Sequence, residues 1–269
     1  MINRKKQQSF TLIELLVVIV IIGILAGVIM ISTSSSIDKA NIAKVKVFEE
    51  SIENNLAANM VSRWKLDEII NTNQTPDQWG SNIGTINGNP VLKEEKECIS
   101  GKCMEFDGVG DYVVCANTPQ LTQNVTISLW VKPIQTPLEY SVVFFALTNT
   151  GGGYTGPAWF EYRSSKALDA YFRDPALANH TPSSTLESGQ WYYLVSSHDY
   201  TNQKSYLYVN TKQFIDIDPI IGQLISNGSQ TLIGSGRGTT YGKDFYGLID
   251  DVKLYDGTLS SAEIKQNYI

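Results

Sequence analysis

Proline is absent before Pro76, and no charged residue falls between Val17 and Ile31. The first absence removes the usual source of a helix kink. The second leaves an apolar run long enough, together with residues 10–16, to span a bilayer core. Histidine is nearly missing: His180 and His198 stand far apart in polar stretches with no metal-ligand spacing, and both read as solvated. Basic surplus is missing as well. From Arg63 onward fifteen Lys+Arg face twenty-two Asp+Glu, a net charge near −7. Phosphate backbones need the opposite sign, so nucleic acid is excluded as a partner. There is no Glu-x-Asp-x-Glu stretch of the kind that sets two carboxylates on one strand face about 5–5.5 Å apart for retaining glycoside hydrolysis. Glu105 and Asp107 straddle Phe106, but Asp107 belongs to a turn; Asp216 and Asp218 lie beside Pro219. The chain therefore reads as a non-enzyme. Gly234 to Gly238 lacks the Lys-Ser/Thr of a phosphate loop, and no internal repeat or low-complexity tract is present.

The N-terminal residues are the most telling ones present. Arg4, Lys5 and Lys6 precede the apolar run, and Glu14 sits inside it. A carboxylate in hydrocarbon costs a few kcal/mol or more, so it needs a partner and a purpose. A secretory signal peptide has a shorter apolar region and a better cleavage site than Ser32 to Ser36. A plain anchor explains the length but not Glu14. The basic patch places the N terminus in the cytoplasm and the bulk of the chain outside. Beyond the span, Ile37, Ala40, Val45, Phe48, Ile52, Leu56 and Met60 form a helical stripe with charges between them. A continuous helix over 10–62 would extend about 80 Å at 1.5 Å per residue.

Ser9-Phe10-Thr11-Leu12-Ile13-Glu14-Leu15 resembles the leader junction of type IV pilins and pseudopilins. The resemblance implies a leader over 1–9, cleavage by prepilin peptidase between Ser9 and Phe10, and N-methylation of Phe10. It implies a transmembrane and stalk helix over 10–62 that assembles with other pilin-like subunits. The free ammonium of Phe10 then meets Glu14 of a neighbour, a pairing that a buried carboxylate tolerates. The sequence departs from the family in carrying Ser9 where Gly is usual, and in lacking the helix proline of many pilins.

After Arg63 the character changes to short alternating strands and Gly-rich turns. Examples are Thr126 to Val131, Trp191 to Val195, Ser205 to Val209 and Leu248 to Tyr255. This predicts a β-sandwich. Ser260 with Glu263 predicts a capped terminal helix. Cys98 and Cys103 enclose a four-residue turn that suits a hairpin-tip disulfide. Strand parity turns Met104 and Cys115 inward with Phe106 and Val113, leaving Cys115 a buried thiol. Trp159, Tyr162, Tyr154 and Tyr171 read as core before they read as sugar platforms.

Trp64-Lys65-Leu66-Asp67-Glu68, Phe106-Asp107-Gly108, Ser128-Leu129-Trp130-Val131, Leu207-Tyr208-Val209-Asn210 and Gly247 to Tyr255 follow one another in an order that resembles a laminin G-like domain of the concanavalin A-like lectin and glucanase superfamily. The resemblance implies an antiparallel jelly-roll β-sandwich over 63–269, carried on the N-terminal transmembrane and stalk helix. It implies a structural Ca²⁺, for which Asp77 and Asp250 are the candidates; capping of a turn by each Asp is the competing reading. Parity places Asp250 on the face of Val252 and Leu254. The expected function is a surface or filament-associated pilin-like subunit displaying a lectin-like adhesion domain for a glycan or protein surface. The alternatives are a pseudopilin of a secretion or uptake machine whose head only packs or spaces, and a membrane-anchored glycoside hydrolase.

Overall fold

Strands of this chain form where apolar residues alternate, and their inward rows meet as the two faces of a sandwich. The computed structural model describes residues 12–23, 59–116, 118, 124–148, 158–173, 179–180, 183–216, 230–236 and 244–268. Two compact units are present, Met1–Asn55 and Leu56–Ile269. In the first, residues 12–23 are helical (α1), with exposed side chains that include Glu14. Among the described residues no helix is long and apolar enough to cross a membrane. Ser9, Phe10 and the stretch 24–58 of the expected span and stalk lie outside the described residues.

The second unit contributes β1 (Met60–Trp64), β2 (Gln74–Thr75), β3 (Gly84–Asn87), β4 (Val91–Lys93), β5 (Cys103–Asp107), β6 (Tyr112–Cys115), β7 (Val125–Pro133), β8 (Tyr140–Thr148) and β9 (Ala158–Arg163). It continues with β10 (Ala167–Arg173), β11 (Asn179–His180), β12 (Ser183–Thr185), β13 (Tyr192–Asp199), β14 (Lys204–Val209), β15 (Lys212–Asp216), β16 (Gln230–Ile233), β17 (Tyr246–Tyr255) and helix α2 (Ser261–Asn267). The first sheet runs β15-β14-β13-β7-β17-β5-β4, with β1 added on β17. The second runs β11-β10-β9-β8-β16-β6-β3-β2, with β12 added on β10. Every strand pairing is antiparallel.

Strand β1 moves a boundary. The helical stripe carries the stalk to residue 62, yet Met60 to Trp64 pair with Tyr255 to Val252. The reason is burial by alternation: Ser62 and Trp64 are buried while Arg63 stays half-exposed. Trp64 Nε1 donates to the Asn82 carbonyl at 2.7 Å, and Arg63 Nε donates to Asp251 Oδ1 at 2.7 Å. Lys253 Nζ, on the same strand, lies 2.9 Å from Asp251 Oδ2, and the Arg63–Asp251 pair ties β1 to β17.

The core between the sheets follows parity on β5, β6 and β7: Met104, Phe106, Val113, Cys115, Ile127, Leu129 and Val131 all point into it. On β17 parity breaks. Ile249, Val252 and Leu254 are all core residues, although 249 and 252 differ by an odd number. A bulge intervenes, with register shifted between Asp250 and Lys253 and Asp251 at φ 46°. Asp250 therefore does not share the face of Val252 and Leu254 as parity alone required. It stands across from Trp130, on the outer side of the first sheet. Gly234, at φ 86°, lies against the Phe106 ring, where an added Cβ would come within 2.6 Å of a ring carbon. That packing need explains the first glycine of the 234–238 run. The helix α2 opens on a complete capping box, Ser260 with Glu263.

Candidate functional site

Asp77 organises the loop between β2 and β3. Its Oδ1 accepts from the backbone N–H groups of Arg63, Trp79 and Gly80 at 2.9–3.0 Å, and Oδ2 accepts from Asn82 N at 3.0 Å. Four donors occupy the carboxylate, which matches the turn-capping alternative and leaves little for a cation.

Asp250 is different. Its Oδ2 accepts from Ile99 N at 2.9 Å and Ser100 N at 3.1 Å, but Oδ1 is buried without a hydrogen-bond partner. Burial pushes this carboxyl up to about 7, against the pull of the two loop N–H groups, and the charges of Asp251 and Asp67 add to the rise. Asp67 approaches the same loop: it lies against Gly101, and its Oδ1 is also buried and unpartnered. Desolvation raises the Asp67 carboxyl too, opposed by Lys65 and by a hydrogen bond from the Lys102 backbone. Leu66 and Asp251, the neighbours of these two acids, both adopt positive φ, 60° and 46°. Backbone strain is thus concentrated where two carboxylate oxygens lack donors. In the sequence Asp67 stands only within the Trp64–Glu68 motif; its nearness to Asp250 depends on the loop that both acids approach.

That loop is the disulfide turn. Cys98 and Cys103 are joined, with Cα atoms 5.5 Å apart, and Cys115 is a buried free thiol. A Ca²⁺ ion takes roughly six to eight oxygens, many of them carbonyls and waters. The two unpartnered carboxylate oxygens fit part of such a set. Among the described residues no group of three or more His, Cys, Asp or Glu is arranged as a metal site, so carbonyls and water would supply the remainder.

Two of the four residues weighed for catalysis have other engagements. Glu105 lies 2.8 Å from Lys93, and Asp107 Oδ1 accepts from Val109 N at 2.7 Å. Asp218 lies outside the described residues. His198 is not a solvated loop residue: it is on β13, fully buried, with its ring 5.3 Å from that of Phe172. The alternating pattern of β13 carried it inside. His180 is in β11. Tyr162 is core. Trp159 and Tyr171 stack on each other at 4.6 Å on the opposite face of their sheet, with Arg163 over the Tyr171 ring. Tyr154 lies outside the described residues.

An open cleft of about 390 Å³ occupies one end of the sandwich. Three stretches build it: the β5–β6 turn, the β7–β8 loop, and Asp244 with Tyr246 at the entry to β17. Asp107, Val109, Gln135, Leu138, Asp244 and Tyr246 line it. Asp244 Oδ2 takes the Gly110 N–H at 2.6 Å and so ties two of the three stretches together. A second, more polar groove of about 330 Å³ lies where β13 to β15 meet the start of α2, lined by Tyr206, Gln213 and Thr258 among others. The sequence reading missed both, because each is assembled from segments far apart in the chain.

Comparison with known proteins agrees with both halves of the chain. Residues 4–30 match the prokaryotic N-terminal methylation motif, and residues 107–265 match the concanavalin A-like lectin/glucanases superfamily. No curated protein sequence is significantly similar to the chain. Among solved structures, Trypanosoma rangeli sialidase with a covalently bound 2,3-difluorosialic acid superposes with a TM-score of 0.62 at 16% identity, over 84% of this chain and 38% of that one. The botulinum neurotoxin serotype D ligand-binding domain in complex with N-acetylneuraminic acid gives 0.61 at 13% identity, over 81% and 52%. This chain thus spans well under two thirds of either protein, and at such identity the likeness is one of fold. With a matched segment covering more than half its length, the chain belongs to the concanavalin A-like lectin/glucanases superfamily and carries a prokaryotic N-terminal methylation motif ahead of it.

Proposed function

We propose that this protein is a membrane-anchored, pilin-like subunit that displays a lectin-like head outside the cell to bind glycan. One observation carries the reading: a methylation motif at residues 4–30 precedes a lectin-family sandwich with an open cleft built from its loops. The leader 1–9 is removed by prepilin peptidase before Phe10, the helix that follows anchors the subunit, and Glu14 receives the Phe10 ammonium of a neighbour. The head binds rather than cleaves. Engagement of Glu105 by Lys93 and of Asp107 by a turn N–H supports this. Two fold neighbours whose structures contain a sialic acid or a derivative of it support a saccharide as the class of ligand. A structural Ca²⁺ between Asp67 and Asp250 completes the reading; Asp250 keeps the role expected of it, and Asp67 takes the place expected of Asp77.

The test is made on the full chain extracted from membranes in detergent. Intact mass should place the N terminus at a methylated Phe10, and an array of immobilised glycans should retain the protein. A mature chain still starting at Met1, or one cut after Ser32, overturns the anchoring half. Retention by no glycan overturns the lectin half.

A further inference from the structure

We propose that the Cys98–Cys103 bridge is a redox gate on the cation site: Asp67 and Asp250 take Ca²⁺ while the bridge is closed and lose it when the bridge is reduced, and bound Ca²⁺ in turn protects the bridge from reduction. This rests on the reading of Asp67 and Asp250 as a calcium site and adds what controls it.

Each residue inside the disulfide ring touches one of the two acids. Ile99 N and Ser100 N donate to Asp250 Oδ2 at 2.9 and 3.1 Å. Gly101, at φ 67°, lies so near Asp67 that an added Cβ would come within 2.9 Å of its Oδ1, and the Lys102 backbone hydrogen-bonds the Asp67 carboxylate. The acids reach the ring from opposite ends of the head, Asp67 from just past β1 and Asp250 from within β17. One short ring thus clasps both carboxylates and leaves a buried, unpartnered oxygen on each. The ring has a fixed end and a loose end. Cys103 is on β5 and fully buried. Cys98 is half-buried and follows a 3₁₀ turn over Glu95–Glu97 that buries none of its residues. Trp191 Nε1 adds one exposed hydrogen bond to the Glu97 carbonyl at 3.1 Å, and the bridge is the covalent tie of this end to the sheet.

Reduction opens the clasp. A thiolate of a dithiol reductant attacks the Cys98 sulfur, the S–S bond breaks, and Cys103 leaves as a thiolate that takes a proton. The reductant's second thiol then displaces Cys98. Two electrons and two protons pass to the protein, and the reductant becomes a disulfide. Cys98 is the sulfur attacked, because Cys103 is shut inside the sheet. With the ring open, residues 99–102 regain backbone freedom, and ordering them again around an ion weakens its binding. Hydrogen-bond partners that orient metal ligands are worth about 10–100-fold in metal affinity. Linkage makes the effect reciprocal: the factor by which the closed bridge favours the ion is the factor by which the ion favours the closed bridge. Disulfides form outside the reducing cytoplasm. The gate therefore keeps the site empty until the head has been exported.

The experiment uses the detergent-solubilised full chain, with Ca²⁺ itself as the probe. Isothermal titration calorimetry should find Ca²⁺ bound by the oxidised chain and bound at least tenfold more weakly by Cys98→Ser, which opens the ring and leaves buried Cys103 in place. Gly101→Ala, with the bridge intact, should weaken binding as well by crowding Asp67. In graded mixtures of reduced and oxidised dithiothreitol, with alkylation of Cys98 read by mass spectrometry, saturating Ca²⁺ should make the bridge at least tenfold harder to reduce than EDTA does. For a two-electron couple that is a shift of about 30 mV. Undiminished affinity in Cys98→Ser or Gly101→Ala, or one and the same midpoint in Ca²⁺ and EDTA, overturns the gate while the calcium site stands. An oxidised chain that binds no Ca²⁺ overturns the calcium reading and the gate with it. Buried Cys115 opening to maleimide in Cys98→Ser would make the bridge a support of the whole fold rather than of the site, and also overturns the gate.

Discussion

A carboxylate oxygen shut away from water needs a donor or a cation, and Asp250 Oδ1 and Asp67 Oδ1 have no hydrogen-bond partner. In calcium-free buffer Asp250 holds its proton in the folded head up to about 7, but in the unfolded chain only to about 3.9. Its contribution to stability is therefore complete below about pH 4 and is lost as pH rises through 7. Thermal melts in EDTA should fall across that window, and Asp250→Asn should flatten the fall. Calcium should reverse the trend, because the ion favours the charged carboxylates. At a hundred times its dissociation constant an ion adds about 2.7 kcal/mol. At about 2–4 °C per kcal/mol for a domain of this size, Tm at pH 8 should rise by about 5–10 °C. A melt at pH 8 indifferent to calcium would sink the cation reading. A second residue-level expectation concerns Cys115, whose thiol is buried and pushed well above its ordinary range by desolvation. A maleimide should leave it unlabelled in the native head and label it fully in guanidinium. The burial of Cys115 was legible because alternation on β5 and β6 runs undisturbed. The direction of Asp250 was not, because one bulged residue, Asp251, reverses every parity count across it.

At the scale of elements the disulfide turn matters most. The bridge closes a loop of sequence separation five, and it presents the Ile99 and Ser100 N–H groups to Asp250. Loop-closure entropy for so short a ring gives about 2 kcal/mol. Replacing both cysteines by serine should therefore lower Tm by about 4–8 °C, read by calorimetry. The same variant should show a weaker calcium shift, because the loop that positions the acids is freed. An unchanged calcium shift in the serine variant would separate the loop from the cation. Elements with strong local signals were legible: the capping box at Ser260 and Glu263, and the alternating runs that became β7, β13, β14 and β17. The start of β1 was not. Met60 continues the spacing of the stalk stripe, and only the tertiary pairing of β1 with β17 makes a strand of Met60–Trp64. His198 misled for a similar reason, since its polarity suggested a loop while its place in β13 put it inside.

For the whole molecule the question is where a subunit with this head fits in an assembly. Helices that share a bundle pack with axes about 8–10 Å apart. A folded unit of about 200 residues has a radius of gyration near 16 Å. Heads of that size cannot all follow helices spaced so closely along a shaft unless they fan outward, and the helical stripe expected from the sequence runs up to Met60, where β1 begins. A low-copy position at a filament tip relieves the crowding. Immunogold labelling with an antibody to the head should therefore decorate filament ends, with quantitative mass spectrometry finding this chain at a small fraction of the main subunit. Glu14→Ala should leave membrane insertion intact, because it removes a charge from an apolar stretch, and should abolish the end label, because the Phe10 ammonium of a neighbour loses its partner. Dense label along the shaft would reject the tip position. End label that survives Glu14→Ala would show that another contact sets the register.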